Sequence, residues 1–322
     1  MTYLLGIIFL TSFLVVLPGG IGASTIIGGE TVYVVKKGDT FELIGARLGV
    51  HWKNIPKENG LEMNKNPEIG TRLRVTTRKI VPKSLDKGIL INIPDRTLYL
   101  FKDDRLITFP IGVGKAVEDE VGSWKTTTGK FRIVRKRTNP TWYVPESIQI
   151  EAALKGKWVD EVVPPGRDNP LGRYALVTTI PGILIHETIY PGSVYRYRSH
   201  GCIRVLPEHM KELFPLVDVN MPGEIIYEPV KVAVADNGKI YLEVRTDQYR
   251  RVGSLREHAR KVIEARGLSG KVDWNKVDLL VKTESGVAED VSPTPVKVRA
   301  ASQGPQRSFG WKMFEAMQSL WE

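Results

Sequence analysis

In the run Ser199-His200-Gly201-Cys202-Ile203-Arg204-Val205 the only cysteine of the chain follows a glycine and stands two residues before an arginine, with a second histidine, His186, further upstream. A lone thiol cannot form a disulfide within its own chain, so its chemistry has to be sought elsewhere. Most free cysteines are small buried hydrophobes. Here His200, His186 and Arg204 favour a reactive thiol instead, because thiolate forms where bases and cations surround sulfur. A thiol that attacks an amide carbonyl needs a base, a group that orients that base, and donors for the oxyanion. His186 supplies the base at the end of a short β-prone run. Gly201 lets the backbone approach a substrate, and the N–H groups of Gly201 and Cys202 are candidates for the oxyanion donors. The turn leads toward a helix, whose dipole would add weakly to thiolate formation.

The elements that position these residues are mainly β. Ile89 to Ile93, Thr97 to Phe101 and Leu106 to Val113 alternate with turn signals at Pro94-Asp95 and Lys102-Asp103-Asp104, a β-meander pattern. Further strands are expected at Lys130 to Arg137, Tyr174 to Thr179, Ile183 to His186 and Glu224 to Tyr227. After the cysteine, Leu206, Met210, Leu213, Phe214 and Val217 recur at helical spacing, with Pro207 suited to the first turn. Few other helices are expected, so residues 88–228 read as a sandwich or partly closed barrel.

Two smaller units flank that domain. Thr31 to Thr76 predicts a βααβ unit: a strand at Val32 to Val35, a helix Phe41 to Leu48 capped by Asp39 or Thr40 and closed by Gly49, a second helical stretch from Trp52 to Glu58, and a returning strand at Thr71 to Val75. Its Tyr33-Val34-Val35-Lys36-Lys37-Gly38-Asp39-Thr40, Glu58-Asn59-Gly60-Leu61 and Ile69-Gly70-Thr71-Arg72-Leu73 stretches resemble the LysM module (residues 31–76). The resemblance implies binding to glycans that contain N-acetylglucosamine. Thr77 to Lys87 reads as a charged connector. Residues 229–291 predict a small α+β appendage: a hairpin turning at Asp236-Asn237-Gly238, a helix Leu255 to Arg266 with Ser254 and Glu257 as capping box, and a helix around Trp274 to Val281. Residues 292–322 read as a linker and an amphipathic helix carrying Trp311, Phe314, Met317 and Trp321.

Around the cysteine the chain resembles the L,D-transpeptidase (YkuD) catalytic domain, whose signature is an upstream His followed by Ser/Thr-His-Gly-Cys and often Arg. Asn139-Pro140-Thr141-Trp142, Pro164-Pro165-Gly166 and Asn169-Pro170-Leu171-Gly172 extend the likeness from Ile89 to Tyr227. The resemblance implies Cys202 as nucleophile, His186 as base, His200 and Gly201 shaping the site, Ser199 supporting the turn, and Arg204 either holding a substrate carboxylate or bracing the loop. The third member of the triad would be a backbone carbonyl at Glu187, where many relatives carry glycine. The implied reaction is acyl transfer from a peptidoglycan tetrapeptide stem, with release of D-alanine, to an amine of a second stem or of an outer-membrane lipoprotein. An L,D-carboxypeptidase or amidase by the same thioester, and a non-catalytic LysM wall-binding protein, are the alternatives. No cofactor or metal is expected, since a zinc ion would compete for the thiolate. His51, His209 and His258 lie outside the motifs and read as surface or packing residues.

The remaining features bear on location. The 322 residues carry 46 Lys and Arg against 36 Asp and Glu, a net charge of +10, which suits an anionic environment such as the bacterial wall or a membrane surface. The basic residues are spread along the chain without a nucleic-acid motif, so no nucleic-acid partner is expected. Residues 1–24 are apolar and then small, with no Lys or Arg at their start, and resemble a signal peptide cleaved near Ala23 or Ser24; retention as an N-terminal anchor is the other reading. Glu228-Pro229-Val230-Lys231 resembles Gram-negative members of the family, which points to the periplasm or cell wall.

Overall fold

The computed structural model describes residues 25–120 and 122–294, together with the backbone of 14–16. Its Cα trace divides into Met1–Ser292 and Pro293–Glu322; the expected terminal helix falls in the second unit, outside the described residues.

Eight strands of the first unit close into a ring. In order around it they are Gly88–Asn92, Thr97–Lys102, Arg105–Gly114, Ile203–Val205, Leu184–Glu187, Tyr174–Thr178, Gly129–Thr138 and Pro222–Ile226, the last pairing back onto Gly88–Asn92. Sandwich and barrel are both apt descriptions, because two long strands each serve both layers. Arg105–Gly114 pairs with Thr97–Lys102 through its first part and with Ile203–Val205 through Ile111 and Gly112. Gly129–Thr138 does the same on the other side, passing from Pro222–Ile226 to Tyr174–Thr178 across an irregularity between Ile133 and Arg135. Closure leaves no free edge in the ring. Ile91, Leu98, Phe109, Ile133, Ile185, Ile203 and Met210 are among the residues that fill its core. The helix Pro207–Leu216 covers one opening with Met210, Leu213 and the following Val217, and Pro207 occupies its first turn as expected.

The βααβ unit forms as its sequence predicts. Thr40 caps Phe41–Leu48 by accepting from the Leu43 N–H, and Gly49 ends the helix at φ 67°. Asn54–Asn59 follows, and the strands Glu30–Val34 and Arg72–Thr76 pair antiparallel around Phe41, Ile44, Ile55 and Leu73. The module is docked on the barrel: Ala46 packs with Val194, Tyr195 and Leu206, and Arg47 Nε meets Glu208 Oε1 at 3.2 Å.

The first part of the segment expected as a charged connector, Thr77 to Lys87, is interior, and its second part is exposed or half-buried. Lys79–Ile80 pairs with Ile26–Ile27, and Lys79, Ile80 and Val81 are buried. The main chain of Ile80 closes a buried ionic cluster. Its N–H donates to Glu243 Oε2 and its carbonyl accepts from Lys231 Nζ, both at 2.6 Å. Lys231 also binds Asp95 at 2.6 Å, and Arg245 binds Glu243 at 2.7 Å and donates to the Tyr195 hydroxyl. Hydropathy alone made this stretch read as a linker, because its lysine finds partners that lie far away in sequence. The cluster ties the C-terminal hairpin, Val230–Val234 and Ile240–Val244, to the barrel. A third strand, Glu289–Asp290, joins the hairpin, and the helices Leu255–Ala265 and Trp274–Thr283 pack on it.

Of the expected leader, residues 1–24, only the backbone of 14–16 is described; Leu14–Val16 pairs antiparallel with Arg105 to Ile107. Among the described residues no helix is long and apolar enough to cross a membrane.

Candidate active site

Two neighbouring parallel strands set the histidine beside Arg204, two residues after the cysteine. His186 on Leu184–Glu187 is the register partner of Arg204 on Ile203–Val205. Side chains alternate along a strand, so Cys202, two residues before Arg204, faces the same way as His186, about 7 Å along the strand from that pair. The cysteine turn runs between two strands, Tyr197–Ser199 and Ile203–Val205, and the helix starts only at Pro207. The expected approach of a helix N-terminus to the thiol is therefore not realised: a strand of three residues, too short to read from sequence, intervenes.

His186 is buried, and its Nδ1 lies 2.5 Å from the carbonyl oxygen of Glu187. That contact fixes the proton on Nδ1, which makes Nε2 the basic nitrogen of the neutral ring; the Leu171 backbone is a second hydrogen-bonding neighbour of the imidazole. Burial holds the imidazole pKa down to about 4, with the Glu187 carbonyl opposing and the Arg204 charge reinforcing the drop. Half-buried Cys202 is shifted the other way. Burial raises its pKa, while the Leu184 backbone and Arg204 pull it down less strongly. Thiol and imidazole are therefore both neutral at pH 7, and the thiol donates to the Gly182 carbonyl at 3.3 Å. The Arg204 side chain, partly buried, has no hydrogen bond or ion pair to any described residue.

Ser199 is buried and its hydroxyl donates to the Cys202 carbonyl at 2.5 Å, closing the turn. Gly201 sits at φ 106°, which favours glycine, and a Cβ there would lie a tight 3.3 Å from the end of the Ile183 side chain. The Gly201 carbonyl accepts from Thr126 Oγ1 at 2.8 Å. Thr126 is in turn held by Tyr249, whose hydroxyl accepts from the Thr126 N–H at 3.0 Å and donates to the Gly114 carbonyl at 2.7 Å. Sequence reasoning named neither residue. Tyr249 lies beyond the C-terminal hairpin, yet it packs in the barrel core, stacked on Tyr227.

The helix Glu146–Leu154 was also missed, because it buries no residue and has no apolar stripe. It carries Glu151, whose Oε2 meets His200 Nε2 at 2.6 Å. Lys155 and Lys115 approach the same carboxylate at 2.5 and 3.5 Å, and with Lys155 foremost they and His200 hold its pKa near 2. The His200 ring also stands edge-on to Trp124, centroids 4.3 Å apart. The only sequence signals for this helix were Pro145-Glu146 at its start and the Glu151–Lys155 spacing. Glu187 points its side chain elsewhere: a Cβ on Gly172 would meet its Cβ and Cγ at 2.7 Å. Among the described residues no group of three His, Cys, Asp or Glu side chains is placed to hold a metal ion.

This geometry can be compared with known proteins. The family model of the L,D-transpeptidase catalytic domain (YkuD) matches residues 86–232, and that of the LysM domain matches residues 33–76. The probable L,D-transpeptidase YbiS of Escherichia coli K12 is 31% identical over 73% of this chain and 76% of its own length. The chain belongs to the L,D-transpeptidase family. Another relative, the probable L,D-transpeptidase ErfK/SrfK of the same organism, is 30% identical over 88% of this chain and 92% of its own length. As a member with both domains, this L,D-transpeptidase is an enzyme of the peptidoglycan wall.

Proposed function

We propose that this L,D-transpeptidase works through a thioacyl-enzyme on Cys202. The observation that carries the reading is the position of Cys202 directly before the strand Ile203–Val205, which pairs in parallel with the strand of His186, with Nδ1 of His186 held by the Glu187 carbonyl. Because both groups are neutral at rest, the thiol proton passes to His186 Nε2 as sulfur attacks the carbonyl of the L-centre of the stem diamino acid. The carbonyl oxygen takes up the electron pair opposite the N–H groups of Gly201 and Cys202. Collapse breaks the C–N bond, and the proton on His186 leaves with the amine of D-alanine. An acceptor amine then attacks the thioester, gives its proton to His186 and releases the thiol.

The Arg204 side chain has no hydrogen-bond or ion-pair partner among the described residues, which suits it to a stem carboxylate. The acceptor amine belongs to a second stem, giving a 3→3 cross-link, or to the lysine of an outer-membrane lipoprotein. The apolar N-terminal stretch directs the chain to the periplasm, with the LysM domain holding it on glycan strands.

Incubating the full chain with soluble disaccharide-tetrapeptide and resolving the products by mass spectrometry tests this. Cross-linked dimer with release of D-alanine supports transfer; free tripeptide alone would mean hydrolysis. Intact-mass measurement with a carbapenem, an acylator that mimics the stem carbonyl, should show an adduct on wild type and none on Cys202→Ala. An adduct on the alanine variant would remove Cys202 from its role.

A further inference from the structure

The docking of the LysM domain on the barrel leaves a cleft of about 300 Å³ between them. Its barrel wall carries Arg96, Arg196 and Arg198, and its LysM wall carries His51 and Trp52, with Glu42 as the only carboxylate in the lining. Three guanidinium groups against one carboxylate give the lining a net charge of +2. The Glu42 contact to Arg196 is a loose 3.8 Å, and Arg198 is exposed with no partner among the described residues.

Arg96 has a more telling position. Its guanidinium lies over the rings of Tyr195 and Tyr197, 4.4 and 5.3 Å from their centroids, and its Nε is buried without an acceptor. A buried donor with nothing to bind is uncommon, and an incoming oxyanion would satisfy it. His51 stacks on Trp52 with centroids 6.3 Å apart and planes 15° apart, a flat surface on the opposite wall. Burial, with Arg96 foremost among nearby cations, holds the His51 pKa down to about 4, so this ring adds no charge at pH 7.

The cleft is also within reach of the cysteine. Arg198 lies on the strand Tyr197–Ser199, four residues from Cys202, so their Cα atoms are at most about 14 Å apart. An extended tetrapeptide spans about the same length.

We propose that this cleft is a binding subsite for the sugar-proximal part of an acidic glycopeptide, its arginines taking peptide carboxylates and the His51–Trp52 surface a sugar ring, while the far end of the stem reaches Cys202. The proposal rests on the transpeptidase reading above and adds to it a contact that requires both domains. It makes the LysM domain part of the donor site as well as a tether.

The test uses the full chain carrying Cys202→Ala, so that binding is read without turnover, and soluble disaccharide-tetrapeptide as the probe. Arg198→Gln should weaken binding several-fold, and Arg196→Gln with Arg198→Gln about tenfold, with a reduced dependence on salt. Arg198→Lys should recover part of the loss. A fragment whose stem carboxylates are amidated should bind wild type and double variant alike. In the Cys202 background, carbapenem acylation should be equal for wild type and both variants, which shows that the catalytic face is intact. Affinity of the double variant within twofold of wild type, or an amidated fragment that binds as tightly as the acidic one, overturns the proposal. Failure of the wild type to release D-alanine counts against the transpeptidase reading, whatever the binding result.

Discussion

The imidazole of His186 is oriented by the main chain of the very next residue, Nδ1 lying 2.5 Å from the carbonyl oxygen of Glu187. A backbone carbonyl is neutral and does not titrate, so this acceptor is present at any pH at which the barrel is folded. The pH profile of acylation should reflect the base alone. With the His186 pKa held near 4 by burial and the Cys202 pKa raised, the rate should be flat across neutral pH and fall only as pH drops through about 4, where His186 gains its proton. His186→Ala should reduce acylation at pH 7 by about 10²- to 10⁴-fold and should recover as pH rises and the thiol ionises unaided. Stopped-flow acylation against pH checks this; an acid limb near 6.5 in wild type would contradict the buried, neutral imidazole.

Glu187→Gly should leave acylation by a small acylator within a few-fold of wild type, since the side chain packs toward Gly172 and only the carbonyl faces the imidazole. A variant as inactive as His186→Ala would show that the carboxylate takes part.

Glu151 is the sole described carboxylate on His200, and its helix buries no side chain. Glu151→Gln removes the charge in that contact and should release the segment around residues 146–154. We expect about tenfold slower acylation, in line with loss of a charge-assisted hydrogen bond, and faster limited proteolysis within this helix. Unchanged cleavage would mean that other contacts hold it.

Tyr249→Phe keeps the ring in the core and deletes the hydroxyl that joins Thr126 to Gly114. The unpaired Thr126 N–H and Gly114 carbonyl should lower stability by about 2 kcal/mol, read as a shifted urea midpoint. Acylation should slow as well, because Thr126 holds the Gly201 carbonyl.

Lys231→Met removes one of the two cations that face Asp95 and Glu243, leaving Arg245 alone against two buried carboxylates, and should destabilise the fold by about 3–5 kcal/mol. The same cluster predicts acid sensitivity. Burial tends to raise the Asp95 pKa, but Lys231 and Arg245 prevail and the net shift is downward. Its stabilisation is therefore complete above about pH 4, the unfolded value, and is lost as pH falls further. Denaturant titration from pH 7 to pH 3 should show a wild-type loss that is absent in a Lys231→Met, Asp95→Asn double variant.

The signature residues were legible because their roles depend on local sequence: Gly201 on its backbone angle, Ser199 on a carbonyl three residues away, and His186 on its own neighbour. The strands and the LysM helices were legible through period and caps. What escaped depends on partners distant in sequence. Thr126 and Tyr249 are an ordinary threonine and tyrosine until folding brings them to the cysteine turn, and Lys79 is one charge of a connector until folding sets it against Gly49 and Thr97. Glu151 sits on a helix with no apolar face, so periodicity had nothing to detect.

The strap at Lys79 to Val81 limits how this protein can be taken apart or rebuilt. Deleting the LysM domain at a boundary such as Lys83 would remove the main-chain groups that satisfy Lys231 and Glu243, so loss of wall binding in such a truncation would be confounded with damage to the barrel. The same holds for gene rearrangement. A recombination joint beyond Ile80 succeeds only if the incoming module brings its own Ile80-like segment in register, so exchange of the module is confined to joints that leave this strap with the barrel.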